Sequence, residues 1–426
     1  MLDLETIRTR TDDVRRNIEN RRMKADVDKV LRLADERSAL IVEIDRMRGR
    51  RKELSAQIHK ASGTDRPALV EEAARLKIAL PGQETRLAAV EQELRDEQGR
   101  IPNLTHADSP IGADEAANKE LRRWGRIPTF DFKPRDHVAI GEALGLVDFD
   151  GGTKVTGSNF YFLKNEAVLL ELALARFALE TIRREGFDLY ETPDMARMKV
   201  LEGCGFTPRG AESQIYRIDG TDLGMIATAE ITLGGLLMDE ILPNAKLPLK
   251  IGGISHCFRV EAGAYGRAGR GLYRVHQFTK VEMFAFTRPE DSDAMHLELL
   301  RIEESLYQAL GIPYRVIDIC TGDLGGPAYR KFDLEAWMPG RGEAGEWGEI
   351  TSTSNCTDYQ ARRLGIRFRR GQGQKPELVH TLNGTAIAMS RTLVAILENF
   401  QQADGAVLVP EILRPMTGFD RIGPRG

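Results

Sequence analysis

Apolar residues in the first hundred positions recur at the intervals of an α-helix. A first run follows spacings close to helical or heptad repeats and comprises Leu31, Leu33, Leu40, Ile44, Leu54 and Ile58. A second run has similar spacings and comprises Leu76, Leu80, Leu87, Val90 and Leu94. Between them lies a turn-forming segment, 61–67, whose Pro67 suits the first turn of a helix. This pattern predicts two long helices that fold back into an antiparallel coiled-coil hairpin.

Two residues conflict with a continuous second helix. Pro81 and Gly82 fall within it, and a proline in a helix interior removes one main-chain hydrogen bond and clashes with the preceding turn. We therefore keep the hairpin but expect a kink, a break or another local irregularity at Pro81.

Basic residues gather towards the outer end of the predicted hairpin. They are Arg46, Arg48, Arg50, Arg51, Lys52 and, nearer the tip, Lys60. One interpretation is a solvated spacer or dimerisation arm, since runs of charge usually mark exposed surface. The other is a patch that binds the phosphates of a nucleic acid. The sequence by itself favours neither interpretation.

The pattern changes near Ile101. From there to about residue 150 the chain is rich in Pro, Asp and Gly, which predicts a linker. An apolar-periodic helix follows over 168–184, with Gly186 as its C-cap candidate, before the strand-like segment 187–193. Beyond it, short strands and helices mix without a βαβ rhythm. We therefore predict an α+β fold in which helices flank an antiparallel sheet.

The length and charge of the chain bound its organisation. At 426 residues it exceeds one ordinary domain, and we divide it into a helical hairpin at 1–105 and a second domain at 106–426. Because the net charge is −4, any contact with nucleic acid must depend on local patches. The charged N-terminal segment lacks the apolar core of a signal peptide, and no run of about 20 apolar residues exists to span a membrane.

The cysteines are scattered along the second domain as Cys204, Cys257, Cys320 and Cys356. None forms a C-x-x-C pair, so we expect no zinc or redox site. Single cysteines of this kind are usually small buried residues in a reducing compartment, and we expect a cytoplasmic chain.

The segment from Phe258 to Glu282 combines charge with glycine. It begins with Arg259 and Glu261, continues through a loop of glycines and arginines, and ends on a near-alternating run that carries Phe278. This pattern predicts two strands joined by a long basic loop, with charged side chains on one face. Such a site suits an anionic nucleotide. Neither a Walker A sequence nor a strand-to-helix G-x-G-x-x-G occurs, which argues against P-loop and Rossmann sites.

Five short motifs along nearly the whole chain resemble those of the seryl-tRNA synthetases, a family of class II aminoacyl-tRNA synthetases. Three belong to the class: Gly186-Phe187 with Pro193 resembles motif 1, Phe258 through Glu282 resembles motif 2, and 383–391 (NGTAIAMSR) resembles motif 3. Two belong to the family: Thr228-Ala229-Glu230 resembles its TAE motif, and 349–355 (EITSTSN) resembles its E-I-S-S-x-S-N segment.

The resemblance implies ATP-dependent activation of L-serine to seryl-adenylate, followed by transfer of serine to the 3′ end of tRNA(Ser), and of tRNA(Sec) as well. It implies the class II antiparallel sheet flanked by helices, and a homodimer formed in part through motif 1. It also favours the RNA interpretation of the hairpin, which in this family holds the long variable arm of serine tRNA. Two alternatives remain: a serine-activating enzyme that loads a carrier protein, and a non-catalytic RNA-binding paralogue.

The resemblance also assigns residues to ATP. Arg259 and Arg391 are the catalytic arginines, for the α- and γ-phosphate, with a structural salt bridge as the alternative for Arg391. Glu261 and Phe278 read and stack on the adenine, although core packing is the ordinary role of a lone Phe on a strand. Further ATP-binding positions are Val260, Val275, Glu349, Ile350, Thr351 and Ser352. Glu349 and Ser352 also stand at the family's Mg²⁺-linked positions, where hard oxygen ligands suit that ion.

The implied serine site comprises Thr228, Ala229, Glu230, Arg259, Glu282, Asn383 and Thr385. Glu282 and Thr385 are the candidates for the substrate hydroxyl, since alanine would leave these polar groups buried and unpaired. Arg267 and Arg270, in the loop of motif 2, are assigned to the acceptor end of tRNA, with solvated loop arginines as the alternative.

The resemblance requires no catalytic histidine. The phosphate of the adenylate can take the proton of the attacking ribose hydroxyl. His256 and His276 are therefore predicted to be strand residues with ordinary hydrogen bonds.

The segment 383–391 departs from the usual bacterial motif 3, N-G-S-G-L-A-V-G-R. Thr385, Ala386 and Ser390 stand where Ser, Gly and Gly are common, and the segment at 349 reads EITS in place of EISS. Thr385 keeps a hydroxyl but adds a methyl beside the serine pocket, and Ala386 and Ser390 add bulk near ATP. One hypothesis is a variant copy with an altered active site and altered sensitivity to seryl-adenylate-like inhibitors.

Overall fold

The computed structural model describes residues 1–62, 65–206, 215–261 and 271–424. The chain divides into two units, Met1–Leu104 and Thr105–Gly426, and each has its own hydrophobic core. Arg267 and Arg270, which the sequence assigns to tRNA, lie outside the described residues.

The first unit is built from helices in its described part. They are α1 (Leu4–Thr9), α2 (Thr11–Asn20), α3 (Val27–Lys60) and α4 (Asp65–Arg100). Aspartate caps begin two of them: Asp3 accepts a hydrogen bond from the main-chain N of Thr6 at 2.7 Å, and Asp26 accepts one from that of Lys29 at 2.8 Å. Each cap satisfies a donor that the first turn would otherwise leave unpaired.

Helices α3 and α4 pack together as the predicted antiparallel hairpin. All the apolar positions of the two repeats are buried or half-buried. Ion pairs join the helices in antiparallel register and comprise Lys29 with Glu97, Arg37 with Glu91, Arg48 with Glu84 and Arg50 with Glu72. The predicted coiled-coil hairpin is therefore confirmed.

Helix α4 runs without interruption through Pro81 and Gly82, so the break expected there is wrong. Both residues are exposed. The carbonyl of Lys77, which has no N–H partner at Pro81, can therefore bond to water. Leu80 is only 5% exposed, so packing anchors this turn of the helix.

The second unit is organised around an eight-stranded sheet. The strands of its described part are β1 (Lys119–Trp124), β2 (Val147–Asp148), β3 (Phe162–Leu163), β4 (Asp188–Glu191), β5 (Met195–Arg197), β6 (Leu223–Met225), β7 (Ile241–Pro243), β8 (Leu249–Phe258), β9 (Gln277–Thr287), β10 (Tyr314–Asp318), β11 (Arg330–Met338), β12 (Glu346–Asn355), β13 (Arg367–Arg369), β14 (Glu377–Leu378), β15 (His380–Ala388), β16 (Val407–Leu408) and β17 (Arg421–Ile422). The main sheet has the order β1-β10-β11-β12-β15-β9-β8-β4. Every neighbouring pair in it is antiparallel except β8 and β4.

Helices flank this sheet. They are α5 (His137–Ala143), α6 (Phe149–Thr156), α7 (Glu166–Arg184), α8 (Met198–Cys204), α9 (Ala229–Gly235), α10 (Ser292–Leu310), α11 (Tyr359–Leu364), α12 (Met389–Asn399) and α13 (Arg414–Thr417). Short 3₁₀ turns lie at Glu115–Ala117, Asn244–Lys246, Pro289–Asp291, Thr321–Asp323 and Glu411–Leu413. The predicted helix over 168–184 is α7, and Gly186 just beyond it has φ +86°, as a C-terminal cap requires.

Alternation along β9 separates the two faces of the sheet. Val281 and Met283 lie in the main core, with α7, α10 and α12. Phe284 and Phe286 lie in a second core, with α8, α9 and α11. Since side chains of a strand alternate between its faces, one strand joins both cores. The predicted α+β architecture, an antiparallel sheet flanked by helices, is confirmed.

From Thr105 onwards, the segment expected to be a linker belongs to the second unit. In particular, β1 pairs with β10, from Lys119 opposite Asp318 to Trp124 opposite Tyr314. All six residues of β1 are exposed, because it is an edge strand of the main sheet. It therefore lacks the apolar alternation that reveals a strand in a sequence. The linker prediction is wrong for this reason.

We expect Pro81→Ala to stabilise the middle of α4. Alanine restores the missing main-chain hydrogen bond, and its helix propensity exceeds that of proline by about 3 kcal/mol in a helix interior. Gly82→Ala should add about 0.5–1 kcal/mol, because a Cβ there meets no atom within 4 Å. Hydrogen exchange of the α4 amides in the full chain measures the effect, and exchange near residue 81 should slow by about tenfold or more. The exposed Lys77→Ala is the control, and unchanged exchange in Pro81→Ala would contradict the expectation.

Candidate active site

A cavity of about 590 Å³ lies over β9, β12 and β15 of the main sheet. Most of the residues that the sequence assigns to ATP and serine line it. They are Thr228, Glu230, Arg259, Glu261, Val275, Phe278, Glu282, Glu349, Ile350, Thr351, Ser352, Asn383, Thr385 and Arg391. Ala229 does not line it and is fully buried in the second core; Val260 does not line it either and follows the end of β8.

Strand β9 supplies one wall of the cavity. Because its side chains alternate, Phe278, Lys280 and Glu282 share the face that points into the cavity. Sequence reasoning missed Lys280. Its position between two assigned residues at a spacing of two was the signal that could have found it.

The β8–β9 end of the cavity holds the groups assigned to adenine and the α-phosphate. Arg259, just after β8, donates from Nε to the main-chain O of Ala227 at 3.4 Å, and its guanidinium lies 5.3 Å from the centroid of the Phe278 ring. Glu261 accepts a hydrogen bond from Arg274 Nη1 at 2.9 Å. Phe278 is half-buried and lines the cavity, so it does not have the plain core role.

Two β-bulges bring assigned residues onto the cavity face. On β12, Ser352 lies opposite Asp333 and Glu349 opposite Glu335, so the bulge places Glu349 and Ser352 on one face although they are three residues apart. On β15, Thr385 lies directly opposite Glu282, and the next paired residue is Ile387. No periodicity in the sequence predicts either register shift.

Arg391 forms an ion pair with Glu349 in the ligand-free chain. Arg391 Nη1 lies 3.0 Å from Glu349 Oε1 and donates to the main-chain O of Glu349 at 3.2 Å. Burial opposes ionisation of Glu349, but the positive charges of Arg391, Lys331 and Arg259 together outweigh it, and the pKa of Glu349 falls to about 2. The anionic partner that Arg391 needs is therefore present without ATP.

Tyr273, which sequence reasoning missed, supports this pair. Its hydroxyl donates to the main-chain O of Glu349 at 3.1 Å, and its ring lies 5.0 Å from the guanidinium of Arg391 and 4.5 Å from that of Arg341. The Tyr273 ring therefore helps to hold the guanidinium of Arg391 in position through a cation–π contact.

A second group of polar side chains meets between the neighbouring strands β9 and β15. Lys280 and Glu282 form a buried ion pair, and Thr385 Oγ1 lies 3.4 Å from both Glu282 Oε2 and Lys280 Nζ. Each of the three side chains is less than 10% exposed. The arrangement presents a carboxylate and a hydroxyl to a small polar ligand.

Glu230 lies at the start of α9, where Thr228 Oγ1 caps the helix by accepting from the main-chain N of Glu230 at 3.2 Å. Its Oε1 accepts hydrogen bonds from Gln360 Nε2 at 2.6 Å and from Asn383 Nδ2 at 3.0 Å. Burial, with the negative charge of Glu282, raises the pKa of Glu230 to about 7. This carboxylate is poised to bind a cation.

Lys331 and Asp333 add a further buried pair that sequence reasoning missed. Lys331 Nζ lies 3.0 Å from Asp333 Oδ2, and Lys331 lines the cavity. Burial raises the pKa of Asp333 to about 7. On β11 these polar residues alternate with Phe332 and Leu334, which was a visible signal of a polar inner face.

The two histidines and the unusual residues of motif 3 have the following places in the structure. His256 Nδ1 lies 2.9 Å from Asp194 Oδ2, and His276 Nδ1 lies 2.8 Å from the main-chain O of Arg259; both contacts are ordinary, but His276 lies just before β9. Ser390 lines the cavity, whereas Ala386 is fully buried in the main core and does not narrow the described cavity.

All four cysteines are buried, and none of them forms a disulfide. Over the described ranges, no group of three or more His, Cys, Asp and Glu side chains is arranged to hold a metal ion. None of the helices in those ranges has the length and apolar character that a bilayer crossing requires.

The basic residues of the hairpin divide into two classes. Arg48 pairs with Glu84, and Arg50 forms a two-point contact with Glu72 at 2.7 and 2.8 Å. The others are exposed and form no ion pair with any described residue: Arg46, Arg51, Lys52 and Lys60. These four side chains remain available to an anionic partner.

Comparisons with known proteins agree with this architecture. A family model of the seryl-tRNA synthetase N-terminal domain matches residues 1–105, and one of the class II tRNA synthetase core domain (G, H, P, S and T) matches residues 215–400. The serine–tRNA ligase of Rubrobacter xylanophilus is 58% identical over 425 residues, which cover 100% of this chain and 99% of that relative.

Two solved structures resemble the whole chain. The seryl-tRNA synthetase of Pyrococcus horikoshii, complexed with ATP, matches with a TM-score of 0.91 and 40% identity over 100% of both chains. The cytoplasmic serine–tRNA ligase of Naegleria fowleri, in complex with AMP, matches with a TM-score of 0.83 and 33% identity over 97% of this chain and 96% of that one. These matches, together with the residues that line the cavity, show that the chain belongs to the seryl-tRNA synthetase family of class II.

Proposed function

We propose that the cavity carries out the family reaction, ATP-dependent aminoacylation of tRNA with serine, with a fixed division of labour among its residues. The observation that supports this most is one cavity whose lining combines buried carboxylates with arginines. Glu230 and Glu282 are near enough to interact electrostatically and could bind an ammonium and a hydroxyl, while Arg259 and Arg391 both act on Glu349 and could bind a polyanion. L-Serine and ATP together have this charge pattern.

In the first step, the serine carboxylate attacks the α-phosphorus of ATP, forming the mixed anhydride while the bond to pyrophosphate breaks. Both reactants are anions, so the protein acts by positioning and by charge neutralisation. Arg259 lies between the two assigned subsites and can bind oxygens of both reactants with its guanidinium fork. Arg391 binds the γ-phosphate, and Glu261 and Phe278 hold the adenine.

The residues at the phosphate end also fit Mg²⁺. Glu349 is ionised, and the bulge on β12 brings its carboxylate and the Ser352 hydroxyl to one face, as a pair of hard oxygen donors. A divalent cation bound there would neutralise charge on the phosphates. Zinc does not form part of the proposal, because the four cysteines are separately buried.

In the second step, the terminal ribose hydroxyl of tRNA attacks the carbonyl carbon of seryl-adenylate, and AMP leaves. The phosphate of the leaving group can accept the proton of the hydroxyl. His256 and His276 are engaged by Asp194 and by a main-chain carbonyl, so we assign neither as a base.

The tRNA substrate proposed is tRNA(Ser), together with tRNA(Sec). Arg46, Arg51, Lys52 and Lys60 are exposed on the hairpin and are assigned to its backbone phosphates. Arg48 and Arg50, which the sequence also assigned, are engaged with glutamates and would have to exchange partners. A hairpin of this kind reads RNA by shape, so the overall negative charge of the chain is no obstacle.

A second copy of the chain is the proposed partner of the α7 face. Val168, Leu169 and Leu172 of α7 are all exposed, as are Leu189 and Tyr190 of β4. An apolar surface shared by a helix and the edge strand of the main sheet is typical of a homodimer interface. We place the homodimer in the cytoplasm, where tRNA is charged.

The two alternatives have less support. A carrier-protein-loading enzyme has no evident use for exposed basic residues on a 34-residue helix. A non-catalytic RNA-binding paralogue would not require a cavity in which Glu230, Glu282 and Arg391 are held by dedicated partners.

Shortening the hairpin should separate the two half-reactions. We expect a chain lacking residues 41–86 to retain serine-dependent ATP–pyrophosphate exchange and to lose charging of tRNA(Ser). The cut lies beyond the Arg37–Glu91 ion pair, so the base of the hairpin keeps its core. Retained charging would refute the role of the hairpin, and lost exchange would refute the independence of the cavity.

A finer version of this experiment replaces Arg46, Arg51, Lys52 and Lys60 together by Gln. Charging should weaken, and its salt dependence should decrease by about 0.7–0.9 per lost phosphate contact in a plot of log K against log salt. Arg16→Gln, an exposed arginine on α2, is the matched control.

Glu282→Gln should impair the choice of serine over alanine. The amide keeps the shape but loses the charged acceptor for the serine hydroxyl. We expect the serine-to-alanine ratio of kcat/KM in pyrophosphate exchange to decrease by about one hundredfold. Thr385→Ser, which keeps the hydroxyl, should change the ratio by less than about threefold. An unaltered ratio in Glu282→Gln would remove Glu282 from the serine site.

The pKa of Glu230, raised to about 7, predicts a pH dependence. Below that pH the carboxylate gains a proton and loses its attraction for the serine ammonium. The KM for serine should therefore rise about tenfold for each pH unit below 7, which gives the pH profile an acid limb. Glu230→Gln should have a high KM for serine and a profile without this acid limb. Asp333 has a similar pKa, but its titration does not depend on residue 230. A limb that persists in Glu230→Gln would contradict the assignment, and the exposed Glu240→Gln is the control.

A further inference from the structure

Gln360 is a fully buried residue on α11 that none of the motifs includes. Its side chain uses both amide donors and accepts one hydrogen bond within the described residues. Nε2 donates to the main-chain O of Cys204 at 3.0 Å and to Glu230 Oε1 at 2.6 Å, and Oε1 accepts from Thr381 Oγ1 at 2.8 Å. A flipped amide would set its oxygen against two acceptors, so this network permits a single orientation.

The hydrogen bonds to Glu230 are asymmetric. Both amides that reach the carboxylate, from Gln360 and from Asn383, donate to Oε1. Among the described residues, no side chain donates to Oε2. Since Glu230 lines the cavity, one of its oxygens is committed to the protein and the other can serve a ligand.

We propose that Gln360 is the positioning residue of the serine site: it fixes one oxygen of Glu230 so that the other faces the α-ammonium group of the substrate. This inference rests on the proposed role of Glu230 in binding that group. Gln360 itself does not line the cavity and acts only through Glu230.

The electrostatic surroundings of Glu230 explain why such a residue is needed. The charged or titratable groups around it are Glu282 and Lys280 of β9, Arg259 after β8, and Cys204 of α8, whose thiol also interacts with Arg363 of α11. Burial and Glu282 favour the protonated form of Glu230, whereas the hydrogen bond from Gln360 favours the ionised form that binds an ammonium.

Gln360→Met tests the proposal because it keeps the volume and removes the donor. We expect the KM for serine in ATP–pyrophosphate exchange to rise about ten- to a hundredfold, as for a lost hydrogen bond to a charged group, with the KM for ATP unchanged. The acid limb of kcat/KM for serine should also shift to higher pH, because the carboxylate loses a bond that stabilises its charge.

Gln401→Met is the matched control. Gln401 is 3% exposed, donates to the main-chain O of Arg135 and of Glu398, and accepts from the main-chain N of Arg135. Its replacement by Met therefore removes the same number of hydrogen bonds as Gln360→Met. It lies outside the cavity lining, and its replacement should leave the KM for serine and the pH limb unchanged.

Thr381→Val provides a second variant of nearly the same shape, in case Gln360→Met does not fold. It removes the donor that orients the Gln360 amide, and the KM for serine should rise about threefold to tenfold. An unchanged KM for serine and an unmoved pH limb in these variants, while Glu230→Gln raises that KM, would overturn the role of Gln360 alone. An unchanged KM in Glu230→Gln would instead overturn the proposed serine site. Equal changes in the KM for serine and for ATP would mark Gln360 as merely structural.

Discussion

Burying a charged side chain is costly unless an opposite charge or hydrogen bonds compensate it, and the cavity over the central sheet is built from charged side chains. Each of the following is compensated from within the protein: Lys280 by Glu282, Lys331 by Asp333, Arg391 by Glu349, and Glu230 by two amides. Two of these pairs lie within one strand, β9 or β11, whereas Arg391 joins α12 to β12 and the two amides join α11 and β15 to Glu230 of α9. These contacts are all present in the ligand-free chain. A change to one member would affect its partner as much as the ligand.

The two β-bulges connect this requirement to the fold. A strand without a bulge would send Glu349 and Ser352 to opposite faces of the sheet, one to the cavity and one to the core. The bulge on β15 leaves Thr385 directly opposite Glu282 and sends Ala386 into the main core. The chemistry of the cavity thus depends on local register as much as on the identity of its residues.

The sequence predicted the features that rest on periodicity or on a motif. The hairpin, α7 and the paired strands on either side of the basic loop follow from apolar spacing, and the gathering of most assigned residues around one cavity follows from the family resemblance. Strand β1 was missed because an exposed edge strand needs no apolar face. The interruption expected at Pro81 does not occur: α4 is continuous there, and Lys77, Pro81 and Gly82 are exposed, so water can reach the carbonyl of Lys77.

Gln360 shows a different limit. It is a polar residue within a helix, and its role depends on partners that are distant along the chain. The partners of Gln360 come from α8, α9 and β15. Such a convergence is a property of the folded chain, so spacing within one segment could not reveal it.

The ion pair between Glu349 and Arg391 has a consequence for how ligands assemble. The carboxylate assigned to the divalent cation and the guanidinium assigned to the γ-phosphate occupy each other in the ligand-free chain. Under the proposed assignments, a cation that takes Glu349 would release Arg391 for the nucleotide, and a nucleotide that takes Arg391 would release Glu349 for the cation. By thermodynamic reciprocity each ligand would then promote binding of the other to the same degree. The ion pair would thereby favour the metal–nucleotide complex over either component alone.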